Sequence, residues 1–599
     1  MNKLKVFFRK TKNQPMDIWF FFLFIFVSSL SLRKVIDYFP VERTSQRTLP
    51  AIGGFNEYAG IYVYISDIFL TLAILCWVVS IIYTNYRKQS SGKLWITHPI
   101  HTLYTSLKNN VPRLPRGKSF YSAKYANVPR GTLLGNKTDV KQFFLRGGTL
   151  FIAPMFLVIW SFISISWAKN ESIALFRSFK LLEFYLLYLF VASRLIPLFH
   201  VEQSEATQTK IAAIYPNQLR DKTEEKNVPR GTFSIFLLSM VFLGLFQSFI
   251  AIWQFISQYS VGLFWLKESL ISPDIPGVAK IILNGHKIIR AYGLFPHPNI
   301  LGGFLLFSTI ATLLYKNCST WNINAPLSSI RKRIGDEVIV PRGTINPSSN
   351  SPSNYFWLEK LLRRKPWFID IAISIQLFAL ISTFSKSAIL GLIIALTYLH
   401  VPRGTIHKYP SGTQNHSPFS KKVVLILGIL VLSLYLAKPD LNILLAKSLK
   451  ERIFYLNVSP AIVATQHIAG ARGTIEDAQK LLFGVGAGQF VLNIPNYTSQ
   501  VVEQWQFQPV HNVFLLIWSE LGLIGLVLFL WFLWTIFSKS ILENKYDVSS
   551  NVVTLHYFKA ILLGFIFIML FDHYSWDIQQ GSLLLWMTLG IIAGVKRKC

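Results

Sequence analysis

Three polar stretches of this chain carry side chains able to hold an anion or move a proton at a membrane surface. The first is Arg290-Ala-Tyr-Gly-Leu-Phe-Pro-His-Pro-Asn299, which runs directly into Ile300-Leu-Gly-Gly303. Pro296 and Pro298 impose an extended approach, and Asn299 suits the N-cap of the helix that follows. Free N–H groups at a helix N-terminus bind anions, and Arg290 would add a fixed two-pronged donor. The same residues also fit a capped start of a membrane helix with an interfacial arginine, and His297 reads as a loop residue. The second stretch is Thr383-Phe-Ser-Lys-Ser387 between two apolar runs. Lys386 falls at a helix N-terminus, where the dipole disfavours a cation. An anionic ligand would offset that, and so would snorkelling of the side chain to the interface. The third runs from about Pro439 to Val510 and is closed by His511-Asn512 at the mouth of a long apolar run. It holds Arg452 and the run Phe483-Gly-Val-Gly-Ala-Gly-Gln-Phe490.

What must position these residues is a set of membrane helices. The chain has 599 residues, of which 52% are hydrophobic and 15% charged, and its mean hydropathy is +0.40. A helical span needs about 20 apolar residues. About twelve such runs occur, at 17–32, 61–85, 148–168, 172–193, 233–257, 299–315, 367–384, 387–400, 423–437, 512–537, 556–571 and 579–595. The first is not followed by a small-x-small cleavage site before Leu32-Arg33-Lys34. The expectation is an all-α polytopic membrane protein with about twelve transmembrane helices. Residues 1–438 would hold nine of them with basic cytoplasmic loops, 439–510 a large periplasmic loop, and 511–599 the last three.

The net charge of +31 invites a nucleic-acid reading. With the N-terminus inside, however, most of the 60 Lys and Arg fall in cytoplasmic loops and tails, which is the positive-inside pattern. Basic segments beside anionic lipid account for the charge, and nucleic acid is not expected as a partner. The three cysteines, Cys76, Cys318 and Cys599, avoid the outer loops, so no disulfide framework is implied. Val-Pro-Arg-Gly-Thr recurs at 128–132, 228–232, 340–344 and 401–405, amid Ser/Asn/Pro/Lys-rich sequence. Its irregular spacing fits insertions in cytoplasmic loops that cannot order themselves; a docking motif for a cytoplasmic partner is the other reading.

The long outer loops, 258–298 and 439–510, make the outer face the candidate working face. Arg452 lies on 441–456, whose apolar residues suit a helix along the membrane surface. Gly484, Gly486 and Gly488 have no strand–helix unit or Gly-Lys-Ser/Thr beside them and make no nucleotide loop. Glu520, nine residues beyond His511, points away from it and reads as an intramembrane packing or polar-network residue. Arg177, Lys180 and Glu183 step along one run: Lys180 pairs naturally with Glu183, which leaves Arg177 for another helix or a lipid phosphate. No Asp-x-Asp, His-x-x-x-His or paired carboxylate cluster stands out, so no metal site is expected.

In this order the outer motifs resemble the O-antigen ligase and O-antigen polymerase family of bacterial membrane glycosyltransferases. The matching pieces are Arg290 with Gly293 and Pro298-Asn299, Ser385-Lys-Ser-Ala388 with Gly391, Arg452, Phe483-Gly-Val-Gly486, and His511-Asn512 with Glu520, Gly522 and Gly525. The resemblance covers about 230–535. It implies a GT-C-like bundle that uses a lipid diphosphate-linked glycan as donor at the periplasmic face of the inner membrane, with neither metal nor nucleotide cofactor. By that analogy Arg290, Arg452 and Lys386 hold the donor diphosphate, His511 orients or deprotonates the acceptor hydroxyl, and Asn299, Asn512 and Glu520 support them. Lys386 stands where family members commonly carry arginine, and a lysine lacks the planar fork for two-pronged phosphate binding. The acceptor would be a lipid A-core sugar (ligase), a further repeat unit (polymerase) or a protein side chain (oligosaccharyltransferase), with ligase the favourite. A polysaccharide transporter or flippase is the rival class, but the paired broken spans common in such folds are not found. A non-enzymatic envelope assembly factor is a second rival.

Overall fold

A computed structural model describes residues 15–39, 56–90, 148–195, 232–283, 285–321, 367–400, 475–497, 507–538 and 550–595. Arg452, the apolar run 423–437 and all but Thr232 of the Val-Pro-Arg-Gly-Thr copies lie outside them. Every other apolar run overlaps a helix: α1 (Met16–Ser28), α2 (Ile65–Ser90), α3 (Gly148–Ile163), α4 (Glu171–Phe190), α5 (Thr232–Ser257), α6 (Pro298–Trp321), α7 (Trp367–Ser382) and α8 (Lys386–His400). Two short helices, α9 (Ile475–Phe483) and α10 (Phe490–Asn493), precede α11 (Val513–Ser538), α12 (Ser550–Met569), the single turn α13 (Tyr574–Asp577) and α14 (Gln579–Gly594).

Among the described residues, five helices are long and apolar enough to cross a membrane: α2, α3, α5, α6 and α11. The apolar parts of α1, α7, α8 and α12 are shorter, and α4 carries Arg177, Lys180 and Glu183. The protein is thus a predominantly helical chain with several helices fit for a membrane. In its apolar window α6 is 94% buried, against 17% for α2, so α6 sits at the centre and α2 at the rim. α6 packs on α5, α7 and α12, while α14, buried along its length, packs on α4 and α12.

The all-α expectation needs one correction. Two antiparallel hairpins interrupt the helices: β1 (Arg33–Tyr38) with β2 (Gly60–Tyr64), pairing Arg33 with Tyr64, and β3 (Lys280–Leu283) with β4 (His286–Ile289). β-Branched and aromatic residues dominate both, and loops longer than a turn must satisfy their own backbone groups next to a membrane. The second hairpin delivers the chain to Arg290 and α6.

The alternating glycines have a structural purpose. Helix α11 is broken at Gly522, whose φ is 69°, and the break exposes backbone carbonyls. Val485 N–H donates to Ser519 O at 3.0 Å, and Gly486 N–H to Glu520 O at 2.8 Å. Gly484, Gly486 and Gly488 all have positive φ, where a side chain is strained. A Cβ on Gly484 or on Gly522 would strike the other segment's backbone. The run is therefore a close-packed backbone plug against a broken helix.

Candidate functional site

The 297–299 turn departs from the sequence expectation. Ile300 and Leu301 N–H groups bond to His297 O, and Asn299 N–H donates to His297 Nδ1 at 3.2 Å. His297 is thus the residue that caps α6, with Pro298 at the first helical position, where its missing N–H costs nothing. An imidazole nitrogen accepts only when unprotonated. Burial, reinforced by Arg290, lowers His297 to about 3, so the cap persists at neutral pH.

Freed from capping, Asn299 spans two charges. Its Oδ1 accepts from Arg290 Nη2, and its Nδ2 donates to Asp572 Oδ2 at 2.6 Å. Arg290 Nε donates to Thr383 O at 2.6 Å, in the turn just before α8. Burial pulls the Arg290 guanidinium down to about 10, with Tyr292 and Asp572 opposing, so it remains a cation at neutral pH.

Asp572 is the hub. It is 4% exposed and lies in the short connection between α12 and α13. Its Oδ1 accepts from His573 N–H at 2.9 Å and lies 4.0 Å from His511 Nδ1. Burial alone would raise this carboxyl. The imidazoles of His573, His511 and His297, together with the Asn299 amide, outweigh that and hold it below the usual range. His573 Nδ1 lies 2.9 Å from Asp577 Oδ1. Burial alone would lower His573, but Asp577, then Asp572 and Glu57, outweigh it and raise the imidazole above its ordinary value. The rings of His511 and His573 are 5.1 Å apart.

His511 is half-buried at the mouth of α11, and Asn512 caps that helix: Leu515 N–H donates to Asn512 Oδ1 at 3.0 Å. Asn512 Nδ2 donates to Leu570 O at 3.1 Å, tying the cap to the end of α12 beside Asp572. Lys386 is the exposed first residue of α8, one turn beyond Thr383. Glu520 lies buried, its carboxylate taking Phe490 N–H at 3.4 Å.

The structure thus brings Arg290, Asn299 and His511 to one end of the bundle and links them through Asp572. It places Lys386 close by in sequence to Thr383, places Glu520 against the glycine run, and leaves Arg452 outside the described residues. Sequence reading missed Asp572, His573 and the capping role of His297. The Asp572-His573 dipeptide between two apolar runs was the available signal. His511, Asp572 and His573 also offer three ligand atoms within 4.8 Å of one another, a group that could hold a metal ion. No linear motif announces it, because its members come from two helix ends 61 residues apart (572 minus 511).

What the arrangement can do is local and polar. It presents a cation held by a carbonyl and an amide, and an imidazole facing a buried carboxylate. A comparison with protein-family models, with curated proteins and with solved structures finds no match.

Proposed function

We propose that the chain is a membrane glycosyltransferase of the O-antigen ligase type. It would pass a glycan from an undecaprenyl diphosphate-type carrier lipid to a hydroxyl acceptor at the periplasmic face of the inner membrane. The observation that carries this reading is the line Arg290–Asn299–Asp572–His511, which links a cation to a base through one amide and one carboxylate. Helix-compatible apolar runs and basic loops support a twelve-span topology with both termini in the cytoplasm.

In this mechanism the acceptor oxygen attacks the anomeric carbon of the donor while His511 takes the hydroxyl proton. The bond from that carbon to the diphosphate oxygen breaks, and its electron pair leaves with the diphosphate. Arg290 and Lys386 meet the charge that develops there. Asp572, 4.0 Å from Nδ1 of His511, favours the imidazolium that forms. Nε and one N–H of Nη2 of Arg290 are committed to Thr383 and Asn299; these bonds fix the plane in which its other N–H groups meet an anion.

The test is gene deletion with complementation, read by glycolipid gel and by extraction of lipid-linked glycan. Loss of a ligase leaves polymer on the carrier lipid, whereas loss of a polymerase leaves single repeat units. His511→Ala is expected to fail to complement while expressing at the parental level. Full complementation by that variant would overturn the catalytic assignment.

A further inference from the structure

An open cavity of about 890 Å³, counting its solvent mouth, adjoins the His511 cluster and plays no part in the chemistry above. Its walls come from the β1–β2 hairpin, the first half of α4, the glycine run, Glu520 and the 576–579 segment. We propose that this cavity binds a saccharide, and that, given the transfer reaction proposed above, the saccharide is the acceptor.

The walls combine two surfaces. Tyr58, Tyr62, Tyr64, Phe176 and Trp576 supply aromatic faces. Between them stand charges of both signs, most of them paired with one another. Arg33 pairs with Glu57 and lies over the Tyr62 ring, 4.7 Å from its centroid. Lys180 bridges Asp67 and Glu183 and lies 5.3 Å from the Tyr64 centroid. Arg177 spends Nη1 on Asp577 O at 2.7 Å and Nη2 on Tyr58 O at 3.2 Å.

Such a wall suits a particular kind of ligand. A lipid tail would strip water from these charged and polar groups and offer no hydrogen bond in return, which is costly. A diphosphate needs surplus cations, and here Arg33 and Lys180 are answered by carboxylates. A sugar fits both surfaces, since its C–H face lies on aromatic rings while each hydroxyl donates one hydrogen bond and accepts others. Two buried atoms add weight: among the described residues, Arg177 Nε and Asp577 Oδ2 have no hydrogen-bond partner. The first is a donor and the second an acceptor, both belong to residues of the cavity wall, and the Asp577 side chain is only 8% exposed. Buried polar groups are rarely left unpaired in a resting protein. Both atoms are closed off from solvent, so a sugar hydroxyl answers them once the wall side chains shift on binding.

The cavity also communicates with the base. Asp577, whose Oδ2 is unpaired, holds His573 through Oδ1, and the His573 ring lies 5.1 Å from that of His511. The Tyr58 ring meets His573 edge-on at 5.4 Å. A sugar seated against Tyr58 and Asp577 therefore lies one side chain away from the proton acceptor.

The test uses the full chain in lipid nanodiscs and saturation-transfer NMR with the methyl glycosides of glucose, galactose and N-acetylglucosamine, alongside inorganic pyrophosphate. At least one glycoside is expected to show saturation transfer. Arg177→Gln and Phe176→Ala should reduce the signal at least fivefold, and His511→Ala should leave it unchanged. Phe176→Ala gives up no hydrogen bond, so it decides the matter if Arg177→Gln fails to fold. Absence of glycoside signal from the parent, or equal signals from parent and Phe176→Ala, overturns the site. Pyrophosphate binding that Arg177→Gln abolishes, without glycoside binding, also overturns it and assigns the cavity to the donor. Because binding is read without transfer, a glycoside signal in a chain that His511→Ala leaves active would sink the transfer mechanism and keep the saccharide site.

Discussion

Asn299 joins Arg290 to Asp572: one amide accepts from the guanidinium through Oδ1 and donates to the carboxylate through Nδ2 at 2.6 Å. A neutral amide does both, whereas a carboxylate at 299 would repel Asp572 and an aliphatic group would bond to neither. Asn299→Ala leaves a buried carboxylate oxygen short of a donor, which costs about 1–3 kcal/mol. Transfer is expected to fall by about one to two decades, since about 1.4 kcal/mol corresponds to a factor of ten. Asn299→Asp should fall further. Complementation strength and in vitro transfer in proteoliposomes measure both.

His297 offers a pH signature of the α6 cap. Its folded-state value is lowered to about 3, against about 6.5 in an unfolded chain. The neutral form is the one the fold stabilises, so its contribution is full above about 6.5 and is lost as pH falls toward 3, at no more than about 1.4 kcal/mol per pH unit. Asn at 297 would cap without titrating. Thermal melts of the detergent-solubilised protein should show the parent losing stability between pH 6.5 and 5 faster than His297→Asn. Parallel curves would remove the cap from this account.

Gly522 tests the plug. Its φ of 69° disfavours any L side chain, and a Cβ there would meet the Leu482 carbonyl, a backbone atom that cannot swing away. Gly522→Ala is expected to cost about 1–3 kcal/mol from backbone strain alone, because φ 69° with ψ −174° is a region only glycine adopts readily. Leu523→Ala, at an exposed position one residue on, is the control. Yield of monodisperse protein after extraction separates the two.

Parts of this architecture are plain in the chain and others are not. Apolar runs report helices because a membrane forces backbone groups to pair within the segment, so helix positions follow closely. The pairing of Lys180 with Glu183 is legible too, being an i,i+3 step; its structure adds a second partner, Asp67, from α2. Asp67 was not foreseeable, since nothing local links residues 113 positions apart. The same limit hid Asp572 and His573, which no local pattern ties to His511. Asn299 misled for a different reason. Its capping propensity is real, but His297 stands at the capping position and the tertiary demand of Arg290 and Asp572 claims the amide. The glycines had no visible purpose until the break at Gly522 stood opposite them.

The cluster of His511, Asp572 and His573 makes a prediction about metals. Proton transfer needs an unencumbered nitrogen on His511, and a metal seated among these three side chains would occupy it. Transfer is therefore expected to persist at full rate in excess EDTA. Added zinc should inhibit reversibly, and His573→Asn, which removes one ligand, should weaken that inhibition about tenfold or more, the usual scale for losing a ligating group or its support. Loss of activity in EDTA that zinc or magnesium restores would replace the His511 base with a metal-centred mechanism.

The charges inside the bundle form one shared network. Lys180 is 12% exposed and lies within ion-pair distance of both Asp67 and Glu183, and Gln579 Nε2 donates to Asp67 at 2.7 Å. One lysine thus answers two carboxylates, and the amide of α14 shares the load. Removing the cation alone, as in Lys180→Met, strands two acids in a low-dielectric setting and is expected to cost about 3–5 kcal/mol. Neutralising the acids as well should restore most of it, because a fully uncharged trio of similar shape has no desolvation debt. Lys180→Met is therefore expected to collapse the yield of folded protein, and Lys180→Met with Asp67→Asn and Glu183→Gln to recover it. Recovery of fold without recovery of transfer would show that Lys180 also serves the neighbouring cavity, whereas recovery of both would make it purely a structural cation.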